Sequence, residues 1–110
     1  MTLIVGPLFS GKRKVAMDLL HCSEEDLSGR AVCDAQDLAA ESEDLQALAE
    51  ELARYEVVIA TEVGGGVVPT DPKQRSAREA AGRLTCLLAK KADTVIRVFC
   101  GIPTVLKGAL

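Results

Sequence analysis

A chain of 110 residues, 48% of them apolar and with a formal charge of −3, has room for one hydrophobic core and reads as a single domain over 1–110. Its mild acidity and its three aromatics, Phe9, Tyr55 and Phe99, exclude the basic surface and the stacking platforms of a nucleic-acid binder. No apolar run approaches a bilayer span, and the short one at the start ends in Gly-Pro without a signal-peptide layout, so a cytoplasmic protein without a membrane anchor is expected.

Residues 3–5 form an unbroken apolar run, as a strand buried on both faces of a parallel sheet would. Residues 6–13, GPLFSGKR, follow at once, and then Val15, Ala16, Leu19, Leu20 and Cys22 recur at helical spacing. The segment GxxxxGK, between a strand and a helix, is the pattern of a phosphate-binding loop: backbone N–H groups cradle phosphate oxygens at the helix N-terminus and the lysine reaches the terminal phosphates. Gly6, Gly11 and Lys12 stand where that loop needs them, whereas Arg13 occupies the position of the Ser or Thr whose hydroxyl holds Mg²⁺. Pro7 also withdraws one N–H from the cradle. Arg13 offers a guanidinium that can pair with phosphate in place of the lost oxygen.

The acidic segment SEEDLSG is expected to end the first helix, and residues 30–34, RAVCD, to form a short second strand. Asp34 at its end suits either the carboxylate that organises Mg²⁺ through water or the start of a turn before a helix. From about 42 to 55, Leu45, Leu48, Leu52 and Tyr55 draw one stripe on an acidic helix, with Ser42 as its cap. Residues 57–61, VVIAT, are β-branched and read as a central strand that delivers Glu62 to the ligand rim, where a second glycine-rich loop, 62–69, begins. Asp71 and Pro72 start a helix that runs to about Lys91, residues 95–100 form a fourth strand, and the tail after 101–103 suits an edge strand. Alternating strands and helices predict a three-layer α/β domain, with a small, mainly parallel sheet of about four to five strands flanked by helices.

Other titratable and reactive groups read as ordinary. His21 has no partner at metal-ligand spacing and suits the surface, and Arg75, Arg78 and Arg83 suit a solvated helix face on which Glu79 pairs with Arg83. Cys22, Cys33, Cys86 and Cys100 make no CxxC pair and are expected to be reduced and buried. No metal site is expected among these residues.

The stretch TEVGGGVVP, followed by RxxREAAGRLxxxLAxxADTVxxVxxGIP, resembles the bifunctional adenosylcobinamide kinase/adenosylcobinamide-phosphate guanylyltransferase family. The likeness runs over residues 57–102 and includes Glu62, Val63, Gly64, Gly66, Pro69, Arg75, Arg78, Gly82, Arg83, Ala92, Asp93 and Gly101. At the start Ser10, Gly11 and Lys12 also match and Arg13 departs. The resemblance implies a P-loop NTPase-like fold, GTP or ATP as the nucleotide, cobinamide as a further ligand and a role in cobalamin biosynthesis. It implies Lys12 and Glu62 as catalytic residues, and Gly6, Ser10, Gly11 and Lys12 as nucleotide-binding; Arg13 joins the nucleotide-binding set on its guanidinium chemistry alone.

Members of that family are longer, and the part missing here, between the first helix and VVIAT, carries the histidine that becomes guanylylated. His21 lies in no matching motif. The resemblance also implies a homo-oligomer, in which an exposed sheet edge of so small a domain would be covered. Two alternatives stand beside the enzyme: a shortened, non-catalytic relative acting as an oligomeric or regulatory partner, and a metal-free anion site built around Arg13.

Overall fold

The computed structural model describes residues 1–62 and 70–109. Val63, Gly64, Gly66 and Pro69, and with them the second glycine-rich loop, lie outside the described residues. The elements are β1 (Thr2–Gly6), α1 (Lys12–Leu20), α2 (Glu24–Arg30), β2 (Ala31–Val32), α3 (Ala35–Glu41), α4 (Leu45–Leu52), β3 (Val57–Thr61), α5 (Pro72–Lys91), β4 (Thr94–Phe99) and β5 (Ile102–Lys107). They form one five-stranded sheet in the order β2-β3-β1-β4-β5, parallel except for β5.

Alternation along the central strands sorts the core into two layers. Leu3, Val5, Val58, Ala60 and Val95 face α3, α4 and α5, where they meet Ala35, Ala39, Ala49, Leu52, Ala81, Leu84 and Leu88. Ile4, Val57, Ile59, Ile96 and Val98 face the other way, onto Ala16 of α1 and Leu27 of α2. Leu3, Ile4, Leu84, Leu88 and Ile96 are fully buried, and each side chain of this size stabilises the fold by about 1.5–3 kcal/mol. The small alanines of α3 and α4 let those short helices lie close against the sheet.

Two expectations about helices are corrected. The segment SEEDLSG does not merely end α1. It forms α2, because the Ser23 hydroxyl accepts from the Asp26 N–H at 3.3 Å, Glu24, Glu25 and Asp26 sit in the first turn, and Leu27 is driven into the core. The cap of α4 is Asp44, whose carboxylate accepts from the Ala47 N–H at 3.1 Å, so the helix starts three residues after Ser42. Ser42 instead donates to the Asp44 carbonyl at 3.0 Å in the turn before it. Tyr55 falls beyond the end of α4 and is exposed. Helix α3 is absent from the sequence reading altogether.

The start of α5 agrees with expectation: the Asp71 carboxylate accepts from the Lys73 N–H at 2.9 Å and Pro72 takes the first helical position. Strands β4 and β5 join through Cys100 and Gly101, both at positive φ (53° and 76°), in a two-residue hairpin turn that places Phe99 opposite Ile102. The four cysteines are free, but none is buried. Cys22 and Cys33 are half-buried, and Cys86 and Cys100 are exposed, because the apolar stripes that contain them turn their neighbours inward instead.

Topology sets where a ligand can enter. The helix after β1 lies on one face of the sheet and the helix after β3 on the other, although β1 and β3 are hydrogen-bonded neighbours. A crevice therefore opens at the carboxyl ends of these two strands, between Gly6 and Glu62.

Candidate functional site

The rim of that crevice begins at Gly6. A Cβ there would lie 2.3 Å from the Val98 carbonyl oxygen and 2.8 Å from the Ser10 hydroxyl, so only glycine fits. The chain then bends back through residues 7–11. The Gly101 N–H donates to the Ser10 carbonyl at 2.8 Å, tying the loop to the β4–β5 turn. Phe9 (φ 60°) and Gly11 (φ 94°) adopt left-handed backbone on either side of Ser10. Phe9 holds this conformation without the freedom of glycine and leaves its ring 95% exposed.

Helix α1 starts at this loop without a side-chain cap, and its first turn is Lys12, Arg13 and Lys14. Three cations at the positive end of a helix oppose the dipole unless an anion is placed among them. Lys12 is 93% buried in the sense that only 7% of its surface is exposed, and its ammonium donates to the Pro7 carbonyl at 2.7 Å across the loop. Burial holds its pKa below the ordinary lysine value, an effect that the negative charges of Asp34 and Glu62 oppose. The Ser10 hydroxyl, on a residue only 5% exposed, has no hydrogen-bond partner among the described residues.

A cavity of about 290 Å³ opens beside the loop, lined by Phe9, Gly11, Lys12 and Arg13 on one side and by Cys33, Asp34 and Thr61 on the other. That is near the lower end for small-molecule sites, roughly 300 Å³. None of the described residues lining it comes from α5, so Arg75, Arg78 and Arg83 stand away from it. Arg83 pairs with Glu79 at 2.5 Å, as the i,i+4 spacing implies. His21 is an exposed residue at the C-terminus of α1 (φ 52°).

The carboxylates of the rim have specific surroundings. Asp34 sits in left-handed backbone (φ 56°) before α3, at the cavity wall, with its side chain making no cap hydrogen bond. Gln36, two residues on, accepts from the Thr61 N–H at 2.9 Å and so ties α3 to the end of β3. The Glu62 N–H donates to the Gly6 carbonyl at 2.8 Å. Its carboxylate accepts two hydrogen bonds from Arg97 of β4, at 2.6 and 3.0 Å, and this fork holds its pKa below the usual carboxylate value. The Arg97 guanidinium lies over the Phe99 ring, 5.6 Å from its centroid. Arg13 turns toward Glu24 of α2, at 3.3 Å.

Mg²⁺ asks for oxygen ligands in near-octahedral array. Here the hydroxyl position is a guanidinium, both Glu62 oxygens are engaged by Arg97, and no cluster of three or more His, Cys, Asp or Glu among the described residues fits a metal ion. Asp34 is the rim carboxylate that lines the cavity, and is the side chain there that could hold Mg²⁺ together with phosphate and water. Arg97 and Gln36 escaped the sequence reading. A charged residue at the centre of the apolar run VIRVF was the signal for Arg97; nothing marked Gln36.

A family model described as cobinamide kinase / cobinamide phosphate guanyltransferase matches residues 18–106. The matched segment contains Asp34, Glu62 and Arg97 and begins after the loop that carries Lys12. Among curated proteins none matches the chain. With a match over most of its length, reaching from within α1 to within β5, the chain belongs to the cobinamide kinase / cobinamide phosphate guanyltransferase family.

Proposed function

We propose that this protein holds the phosphates of a nucleotide, GTP or ATP, on the loop of residues 6–13, as a compact member of its family acting in cobalamin biosynthesis. The observation that carries the reading is the first turn of α1. Lys12, Arg13 and Lys14 crowd the positive end of an uncapped helix, next to a loop in which Phe9 and Gly11 take left-handed backbone. An anion at that place would relieve the repulsion and draw the Lys12 ammonium away from the Pro7 carbonyl. In this reading Lys12 binds the terminal phosphates, Gly6 and Gly11 permit the loop's shape, and Ser10 supplies a buried hydroxyl at its base. Glu62 orients Arg97. Cobinamide is the second ligand that family membership favours, and the cytoplasm is the compartment we assign.

Calorimetric titration with GTP and with ATP tests this, with Lys12→Ala as the control. The reading expects heat for at least one nucleotide, reduced by about 2 kcal/mol of binding free energy in the variant, the worth of one charge-assisted hydrogen bond. No heat, or equal heat in the variant, would refute it.

A second reading rests on β5. This strand pairs with β4 on one side only among the described elements, and Ile102, Val105 and Leu106 along it are exposed. Such an edge favours pairing with a second copy, as in a homo-oligomer that serves as an assembly or regulatory partner. Light scattering with and without GTP distinguishes the two: an oligomer indifferent to nucleotide, in a protein that gives no binding heat, supports the partner role.

A further inference from the structure

Between Pro7 and Ser10 the loop is tied at both ends. The Lys12 ammonium donates to the Pro7 carbonyl at 2.7 Å, and the Gly101 N–H donates to the Ser10 carbonyl at 2.8 Å. Leu8 and Phe9 form the tip between these ties, 65% and 95% exposed, and both line the cavity that Lys12, Asp34 and Thr61 also line. No packing among the described residues rewards this placement. Phe9 sits in left-handed backbone (φ 60°), which a Cβ disfavours and glycine takes freely. Its ring, left in water, gains nothing from burial, and it is the most exposed of the large apolar side chains among the described residues. An apolar pair held outward at the mouth of a ligand cavity is a surface for a molecule that the fold does not itself supply.

Size and direction decide which molecule. The cavity measures about 290 Å³, and small-molecule sites begin at roughly 300 Å³. A chain of phosphates suits that space. Cobinamide, a corrin macrocycle fringed with amide arms, is too large for it and has to rest across the mouth. A phosphoryl acceptor must also approach the terminal phosphate, the end of the nucleotide that a loop lysine meets. The way to Lys12 from the mouth passes the Leu8–Phe9 tip, whereas the nucleobase lies at the other end of the nucleotide.

We propose that Leu8 and Phe9 are the seat of the cobinamide macrocycle, whose broad face buries apolar area on the ring and on Leu8. The seat presupposes a nucleotide held on residues 6–13, as proposed above, and the acceptor named in the description of the family. Because the tip is tied at both ends, it is formed before either ligand arrives, and little ordering is lost on binding.

The test is calorimetry on the full chain, first with GTP and then with cobinamide at saturating GTP, for the unaltered protein, Phe9→Gly, Phe9→Tyr and Leu8→Ser, with folding checked by thermal melting. Phe9→Gly removes the ring and suits the left-handed backbone, so its melting temperature should equal or exceed that of the unaltered protein. It should weaken cobinamide by at least about tenfold, that is by about 1.4 kcal/mol, and GTP by much less. Leu8→Ser should act in the same sense by a smaller factor, and Phe9→Tyr, which keeps the ring, should retain cobinamide. Unchanged cobinamide affinity in both Phe9→Gly and Leu8→Ser would overturn the seat and leave the phosphate loop standing. Equal weakening of GTP and cobinamide in Phe9→Gly would also overturn it, by showing that the residue serves the shape of the loop. An oligomer lost in Phe9→Gly, seen by light scattering, would assign the tip to a contact between copies instead. If the unaltered protein binds no GTP, cobinamide alone decides: heat that falls in Phe9→Gly keeps the seat while the phosphate loop fails, and no heat for cobinamide with or without GTP removes the seat.

Discussion

The two sides of the ligand rim differ in how firmly the fold dictates them. On the β1–α1 side the loop's shape follows from close approach: Gly6 meets the Val98 carbonyl, Ser10 is tied to Gly101, and Gly11 turns the chain into the helix. On the β3–β4 side the oxygens and cations belong to side chains, and here Glu62 is engaged in an ion pair with Arg97. A backbone cradle can persist wherever the sheet persists, because the same packing that buries Ile4 and Val98 shapes it. A metal site depends on two or three side chains and changes with each of them. The contrast sets a loop shaped by main-chain packing beside side chains already engaged in an ion pair.

The contrast can be broken first at Gly6. Gly6→Ala forces a Cβ against a backbone oxygen that cannot move without β4, and should destabilise the protein by about 3 kcal/mol, read as a lower midpoint in urea. Second comes Lys12→Ala, which should leave thermal stability unchanged or raised, since it removes a desolvated ammonium, while taking about 2 kcal/mol from nucleotide binding. A large loss of stability would mean that Lys12 supports the loop's shape instead of serving a ligand.

The smallest effect lies in the Glu62–Arg97 pair. Arg97 holds the Glu62 carboxyl below its ordinary 4.5 in the fold, so its contribution is fully present above that value and disappears as pH falls through the lowered one. Both groups are partly exposed and screened, so the contribution is at most about 1 kcal/mol. Acid unfolding of Glu62→Gln should lack that share of the pH dependence, and stability curves that coincide at every pH would show the pair to be energetically idle.

Much of the architecture was legible because its signals are local. The apolar runs of β1 and β3 and the Asp71-Pro72 start of α5 each announce their element within a few residues. Helices α2 and α3 were not, because EEDLSGR and AQDLAAE lack an apolar stripe, and their helicity rests on one or two buried residues meeting a sheet already formed. The loop half of the site was visible as a spacing of glycines and lysine. The Glu62–Arg97 fork was not, since the two residues are 35 apart and meet only once β3 and β4 flank β1. Cysteine burial failed for a related reason, as position on the face of an element, and not membership of an apolar run, decides exposure.

The central claim is that the backbone between β1 and α1 is an anion cradle. Amide NMR of uniformly ¹⁵N-labelled protein titrated with GTP addresses it residue by residue. The account predicts that the largest shifts fall on the N–H groups of Phe9, Ser10, Gly11, Lys12 and Arg13 and need a higher GTP concentration in Lys12→Ala. Shifts concentrated elsewhere, for instance in the apolar hollow of about 680 Å³ between Leu45 and Leu87, or no shifts at all, would contradict it.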